Sequence, residues 1–161
     1  MSTAPDLAGL FSHAGHVVTT ELTAALAELG TTPRAICVLA RAAGGELTQS
    51  RIGELAGLDK TTMVVTMDQL ERDGLAERRP SAADRRARIV AVTPAGAELL
   101  AAGQEVVDRV HRSVLDAVPA DDRAALVRAL SGLVTGRLAH PVPCDRPVRR
   151  RRPQPASSAS G

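Results

Sequence analysis

Residues 47–96 read LTQSRIGELAGLDKTTMVVTMDQLERDGLAERRPSAADRRARIVAVTPAG, and the order of helical segments and turns in this stretch decides the fold. Two short helices are predicted on either side of Gly57, because a glycine readily takes the left-handed conformation that ends a helix. Thr48 and Ser50 are alternative caps for the first helix, and Asp59 caps the second. Two short helices joined by a tight turn predict a helix-turn-helix.

A β-hairpin is predicted directly after the second helix, which ends at Gly74. The first strand covers 75–79, the turn covers 80–84, and the second strand covers 88–92 with three β-branched residues. The segment from Arg78 to Arg88 holds one acid, Asp84, and five arginines: Arg78, Arg79, Arg85, Arg86 and Arg88. A helix-turn-helix followed by such a hairpin predicts a winged helix-turn-helix.

Longer helices flank the winged segment on both sides. Apolar residues recur at three- and four-residue spacing, and Thr-Pro pairs mark two helix starts. The predicted helices cover about 6–29, 33–43, 94–118 and 121–138. The predicted fold class is therefore mainly α with a small β-wing. Residues 140–161 are rich in Pro, Arg and Ser and are predicted to form a disordered basic tail.

The composition fits one mostly helical domain with appendages. Apolar residues make up 44% of the 161 residues, and Phe11 is the only aromatic, so the core must consist of aliphatic side chains and Met. Residues 1–139 hold 15 basic and 17 acidic residues, a net charge of −2, whereas 140–161 hold five arginines and one aspartate. The positive charge of the main body is thus local to the hairpin. This favours binding of a polyanion in one defined orientation over non-specific binding of polyanions.

Several function classes lack any signal in the sequence. We find no paired nucleophile and base, no phosphate-binding loop, no dinucleotide motif and no metal-ligand constellation, so we expect neither an enzyme nor a bound cofactor or metal. Cys37 and Cys144 make no disulfide framework, which favours a reducing cytoplasm. We see no signal peptide and no apolar run long enough to span a membrane, so no membrane partner is expected.

The winged segment resembles the MarR family of winged-helix transcriptional regulators. The residues that carry the resemblance are LTQSRIGELAGLDKTTMVVTMDQLERDGLAERR and DRRARIVAVTPAG. The spacing of Asp84-Arg85-Arg86 and of Thr93-Pro94-Ala95-Gly96 behind the second helix fits the family. The resemblance implies an obligate homodimer, one winged helix-turn-helix in each subunit, and a small-molecule or redox input that weakens binding to DNA.

The second helix of the motif is the expected reader of the DNA major groove, because recognition helices contact bases from their N-terminal half. Met63, Met67 and Leu70 should face the core, which leaves another face for base contacts. The candidate DNA contacts on that face are Thr61, Thr62, Val65 and Gln69. Gln69 would pair with adenine, and Val64 or Val65 would touch a thymine methyl. The alternative is that Val64 and Val65 are partly buried.

This helix departs from the family pattern at two positions. The family often has arginines where Val65 and Gln69 stand here. Their absence disfavours direct guanine recognition by this helix and favours DNA contacts from the wing. Arg85, Arg86 and Arg88 are therefore further DNA candidates, with Asp84 expected to hold an arginine by a salt bridge. The alternative is a solvated hairpin.

The start of the first helix of the motif is a candidate phosphate site. Ser50 and Arg51 open this helix, where free backbone N–H groups suit a phosphate. The alternative for these residues is a role in capping alone.

The predicted domain organisation places a helical dimerisation region at 1–30 and 94–139, the winged helix-turn-helix at 31–93 and the tail at 140–161. The flanking helices are too apolar to surround a small winged helix alone, so we expect a two-fold homodimer on a pseudo-palindromic operator of double-stranded DNA. The alternative is a monomeric helical cap. The arginine run at 149–152 either adds non-specific DNA affinity or is simply solvated.

The effector is the least determined feature. Family pockets lie between the dimer region and the winged helix, and a small aromatic or phenolic compound is the effector considered. The candidate lining residues are Phe11, His13, His16, Ile36 and Arg41. His13 and His16 are alternatively a metal pair or plain packing residues, and Cys37 is either a redox sensor or inert. The favoured function is an effector-responsive DNA-binding regulator, a repressor in the first instance. The alternatives are a winged-helix protein-interaction module and a cysteine-based redox sensor.

Overall fold

The computed structural model describes residues 5–81 and 88–140. In these two ranges the chain forms six helices and two strands. They are α1 (Leu7–Ala27), α2 (Pro33–Ala43), α3 (Gln49–Ala56), α4 (Lys60–Arg72), β1 (Ala76–Pro80), β2 (Arg88–Val92), α5 (Pro94–Asp116) and α6 (Ala120–Thr135). The elements from α1 to α5 belong to one compact unit, and α6 belongs to a second unit that begins at Pro119. The predicted mainly helical fold with a small β-wing is confirmed.

Side-chain caps set most of the helix starts. Thr48, not Ser50, caps α3 by accepting a hydrogen bond from the Arg51 N–H at 3.3 Å. Asp59 caps α4, and Thr93 caps α5 while its hydroxyl also donates to the Gly74 carbonyl oxygen at 2.7 Å. Each cap satisfies one of the backbone N–H groups that a helix start leaves unpaired. The predicted helix bounds hold to within about three residues.

The wing is an antiparallel hairpin whose register runs from the Ala76–Val92 pair to the Pro80–Arg88 pair. A bridge between Thr48 and Ile89 adds the segment before α3 to its edge, and the Val90 N–H donates to the Leu47 carbonyl oxygen at 3.0 Å. The wing is thereby tied to the helix-turn-helix through backbone hydrogen bonds. The predicted turn of the hairpin falls largely outside the described residues.

Two aliphatic clusters form the core of the first unit. The larger one joins α2, α3, α4 and the wing, and Leu39, Ile52 and Met67 are completely buried in it. The smaller one consists of Leu26, Ile36 and Val106, from α1, α2 and α5. The predicted inward face of α4 is confirmed, because Met63, Met67 and Leu70 are all at most 2% exposed.

Helix α5 lies close to the winged segment because glycine stands at its contact points. A Cβ atom on Gly103 would lie 2.4 Å from Ile36 Cδ1, and one on Gly96 would lie 1.9 Å from the Leu75 carbonyl oxygen. Any larger residue would push α5 away from α2 or from the wing. These two contacts fix α5 against the helix-turn-helix.

Helix α6, described by itself, buries none of its residues. Its exposed apolar side chains are Leu126, Val127, Leu130, Leu133 and Val134. Helices this long and apolar on one side usually pack against another surface. In the described part of the chain, no helix combines the length and apolar character that crossing a membrane requires.

Candidate nucleic-acid interface

The face of α4 opposite the core is exposed and carries only one cation in its N-terminal half. Thr61, Val65 and Gln69 lie on this face at four-residue spacing and are exposed, as Lys60 is at the helix start. Val65 is 60% exposed and Val64 37%. The alternative that both valines are partly buried therefore fails for Val65. A firmly packed helix thus presents a short outward surface of mixed polar and apolar groups.

The N-terminus of α4 is closed by two hydrogen bonds from Thr62 to Asp59. The Thr62 N–H donates to Asp59 Oδ1 at 2.9 Å, and the Thr62 hydroxyl donates to Asp59 Oδ2 at 2.6 Å. These two hydrogen bonds, that of the hydroxyl first, lower the pKa of Asp59 below its ordinary value of 3.8. The Thr62 hydroxyl proton is committed to the cap, so Thr62 can meet DNA only as an acceptor.

Gln69 is also engaged within the helix. Its amide nitrogen donates to both carboxylate oxygens of Asp73, at 2.8 and 2.9 Å, and its amide oxygen accepts from the Arg72 guanidinium. A bidentate pair with adenine needs both ends of the amide. The structure therefore places Gln69 on the predicted face, but with both ends of its side chain already bonded.

Arg78 connects the wing to both helices of the helix-turn-helix. Its guanidinium pairs with Asp68 at 2.7 Å and with Glu71, and its Nε donates to Gln49 Oε1 at 2.8 Å. The Arg78 N–H also donates to Glu71 at 2.8 Å. Two carboxylates thus neutralise this arginine. Of the five arginines counted in the hairpin, Arg78 therefore directs its charge toward α4.

The sequence pattern of β1 contains a signal for this contact. Ala76 is buried, and Arg78 follows it by two residues, so both side chains point to the same face of the strand. Asp68 and Glu71 stand three residues apart on α4, which places them on neighbouring positions of the helix surface. The alternation of the strand predicts an inward arginine that requires acidic partners.

Ser50 and Arg51 lie in the exposed first turn of α3. The Arg51 side chain pairs with Glu54 at 2.7 Å, and the two side chains are 56% and 65% exposed. An exposed pair of this kind is worth at most about 1 kcal/mol, so the guanidinium is readily available to a phosphate. Arg79 and Arg88 are exposed at the end of β1 and the start of β2, whereas Asp84, Arg85 and Arg86 lie outside the described residues.

Comparisons with known proteins agree with this geometry. A model of the MarR family matches residues 29–87, a segment that contains α2, α3, α4 and β1. The structure of CouR from Rhodococcus jostii RHA1 bound to p-coumaroyl-CoA is 28% identical with a TM-score of 0.73, over 83% of this chain and 95% of that chain. Residues 29–87 are thus similar to the MarR family, and the chain has the MarR winged-helix fold.

Two further MarR-type structures support the fold. The transcriptional repressor CouR bound to a 23-mer DNA duplex is 26% identical with a TM-score of 0.73, over 80% of this chain and 92% of that chain. Wild-type MarR from E. coli in its apo form is 22% identical with a TM-score of 0.70, over 83% of this chain and 99% of that chain. At 22% identity, the match to E. coli MarR supports the fold alone.

The residues predicted to line a MarR effector pocket are spread over several places in the first unit. Phe11, His13 and His16 are exposed on α1, and Arg41 is exposed near the end of α2. Ile36 is 3% exposed and packs in the smaller core cluster. A groove of about 380 Å³ between α1 and α5 includes His13 but not the other four.

The metal and redox alternatives were also compared with the described residues. Within the ranges that the structure describes, no three histidine, cysteine or acidic side chains are grouped to hold a metal ion. Cys37 is a half-buried free thiol in α2, and Cys144 lies outside the described residues.

Proposed function

We propose that this chain is a dimeric, sequence-specific DNA-binding regulator of transcription, acting as a repressor in the cytoplasm, whose affinity for DNA is lowered by a small-molecule effector. The observation that carries the proposal is the outward face of α4. Its inner residues are almost completely buried, the cap at Asp59 closes its N-terminus, and Arg78 ties it to the wing. A helix held this firmly is ready to enter the major groove without reorganisation.

The proposed DNA contacts divide into base contacts and backbone contacts. Thr61 and Val65 would face the bases, while Thr62 and Gln69 would take part only as far as their internal hydrogen bonds permit. Ser50 and Arg51 would bind phosphate at the start of α3. Arg85, Arg86 and Arg88 would contact the backbone or the minor groove from the wing, with Asp84 orienting one of them.

The proposed dimer uses the helices outside residues 31–93. Leu7, Leu10 and Phe11 on α1 are 55%, 61% and 42% exposed, and α6 by itself leaves its apolar side chains uncovered. Exposed apolar surface of this extent marks an association surface. A two-fold axis through such a region would set two copies of α4 about 34 Å apart, the spacing of successive major grooves.

The proposed effector is a small aromatic or phenolic compound. The support is the resemblance to CouR, which has been solved with p-coumaroyl-CoA and also with a DNA duplex. His13, which borders the groove between α1 and α5, is the best placed of the five candidate residues to meet it.

Fluorescence anisotropy with a labelled duplex from upstream of the protein's own gene tests the proposal. We expect binding that weakens linearly in a plot of log K against log salt, with a slope of about −0.9 for each phosphate contacted. A scrambled duplex should bind more weakly at every salt concentration, and a phenolic compound should release the upstream duplex. Equal affinity for the two duplexes would rule out sequence-specific regulation and favour the protein-interaction alternative.

A further inference from the structure

The outward face of α4 offers an unusual set of groups to the bases. The Thr62 hydroxyl donates its hydrogen bond to Asp59, and Thr66 is buried, with its hydroxyl donating to the Thr62 carbonyl oxygen at 2.8 Å. Gln69 has both ends of its amide bonded to Asp73 and Arg72. The polar groups that would normally read adenine or guanine from this helix are therefore largely engaged within it.

Lys60, the cation in the N-terminal half of α4, lies on the side of the helix that faces α3. Lys60 lines a groove between α3 and α4 together with Val64, Ser50 and Glu54. Val65 lies on the opposite flank, next to a different groove that includes Thr31 and Arg34. Lys60 is thus placed toward α3, while the most exposed apolar side chain of the helix, Val65 at 60%, stands apart from it.

From this arrangement we infer that Val65 is a specificity-determining residue, and that it selects DNA by contact with the C5 methyl group of thymine. In the major groove, thymine alone among the four bases presents a methyl group, so an exposed branched apolar side chain there discriminates by burying it. The inference rests on the proposed function, because it requires α4 to enter the major groove.

The expected discrimination is modest for one methyl group and grows with the number contacted. Burial of one methyl-sized apolar group changes affinity about fourfold. Deoxyuridine pairs as thymidine does but lacks the methyl group, so it removes this contact and keeps every hydrogen bond on the base edge.

The experiment uses the full-length protein and a duplex selected by it from a random-sequence library. The selected duplex is made with thymidine or with deoxyuridine at each position in turn, and a scrambled duplex is made in both forms as a control. For the wild type, we expect about a fourfold loss of affinity on removal of each contacted methyl, and no change for the scrambled duplex. The variant Val65→Ala, which lacks both Cγ atoms, should distinguish the two forms of the selected duplex less than the wild type does.

Val64→Ala serves as the matched control, because it removes the same atoms from the neighbouring residue on the α3 side. It should keep the difference between the thymidine and deoxyuridine duplexes. Since Val65 is mostly exposed, Val65→Ala should retain the wild-type midpoint of thermal unfolding, which separates a lost contact from a lost fold.

Two results would overturn the inference while leaving the proposed function intact. One is wild-type binding that is selective for the duplex but indifferent to deoxyuridine. The other is a Val65→Ala variant that still distinguishes the two forms as strongly as the wild type does. If no duplex can be selected at all, the proposed function fails and this inference fails with it.

Discussion

Replacing Arg78 by methionine tests whether the link between wing and helix-turn-helix stabilises the fold. Methionine retains most of the apolar stem but removes the guanidinium that contacts Asp68, Glu71 and Gln49. The Arg78 side chain is 27% exposed, and those of Asp68 and Glu71 are 45% and 34% exposed. The three charges are therefore neither fully buried nor fully solvated.

The magnitude follows from that intermediate exposure. Removal of one partner from a buried ion pair costs about 3–5 kcal/mol, whereas an exposed pair contributes at most about 1 kcal/mol. Asp68 and Glu71 can partly rehydrate, so we expect a loss of about 2 kcal/mol from the free energy of unfolding, between these limits. For a chain of this length that lowers the thermal midpoint by about 4–8 °C.

Arg79→Met is the matched control for Arg78→Met, because Arg79 is the next residue of the same strand and is exposed. Thermal unfolding followed by circular dichroism at one protein concentration compares the two variants. We expect Arg79→Met to retain the wild-type midpoint. Equal midpoints for all three proteins would refute the argument that Arg78 holds the wing in place.

Three further predictions concern the cap of α4, the packing of α5 and the wing. Because the pKa of Asp59 is lowered in the folded protein, its contribution to stability is present above pH 3.8 and is lost as the pH falls through the pKa of the folded state. The difference in thermal midpoint between wild type and Asp59→Asn should therefore narrow from pH 6 to pH 3, and a constant difference would contradict this. Gly103→Ala should lower the free energy of unfolding by about 1–3 kcal/mol, because the added Cβ overpacks against Ile36. Adding Ile36→Val, which removes the Cδ1 atom concerned, should recover part of that loss. Gly15→Ala is the control, because a Cβ there meets nothing within 4 Å. Arg86→Ala should weaken DNA binding for most sequences and reduce the salt slope by about 0.9, and an unchanged slope would remove Arg86 from the interface.

The architecture was largely predictable because local rules decide it. Thr-Pro pairs, Asp59 and the glycines mark the helix ends, and the spacing of Met63, Met67 and Leu70 identifies the buried face of α4. The β-branched run at 88–92 identifies the returning strand without any tertiary information.

The finer properties of the site were not predictable, because they depend on contacts between elements or on competing local bonds. Arg78 is paired with α4 and α3 residues up to 29 positions away, so its charge could not be assigned from the composition of the hairpin. Gln69 is within reach of Asp73 one turn later, and the sequence alone does not decide between that contact and a base. The effector candidates were drawn from the family resemblance, and Ile36 lies in the core instead of on an open surface.

The stoichiometry of the DNA complex tests the central claim most directly. Sedimentation equilibrium of the full-length protein with one operator duplex at low salt gives the number of 16.8 kDa chains bound to each duplex. We predict two chains per duplex, with the protein alone also sedimenting as a dimer, because two copies of α4 must reach successive major grooves. One chain per duplex, or no complex at low salt, would contradict the account.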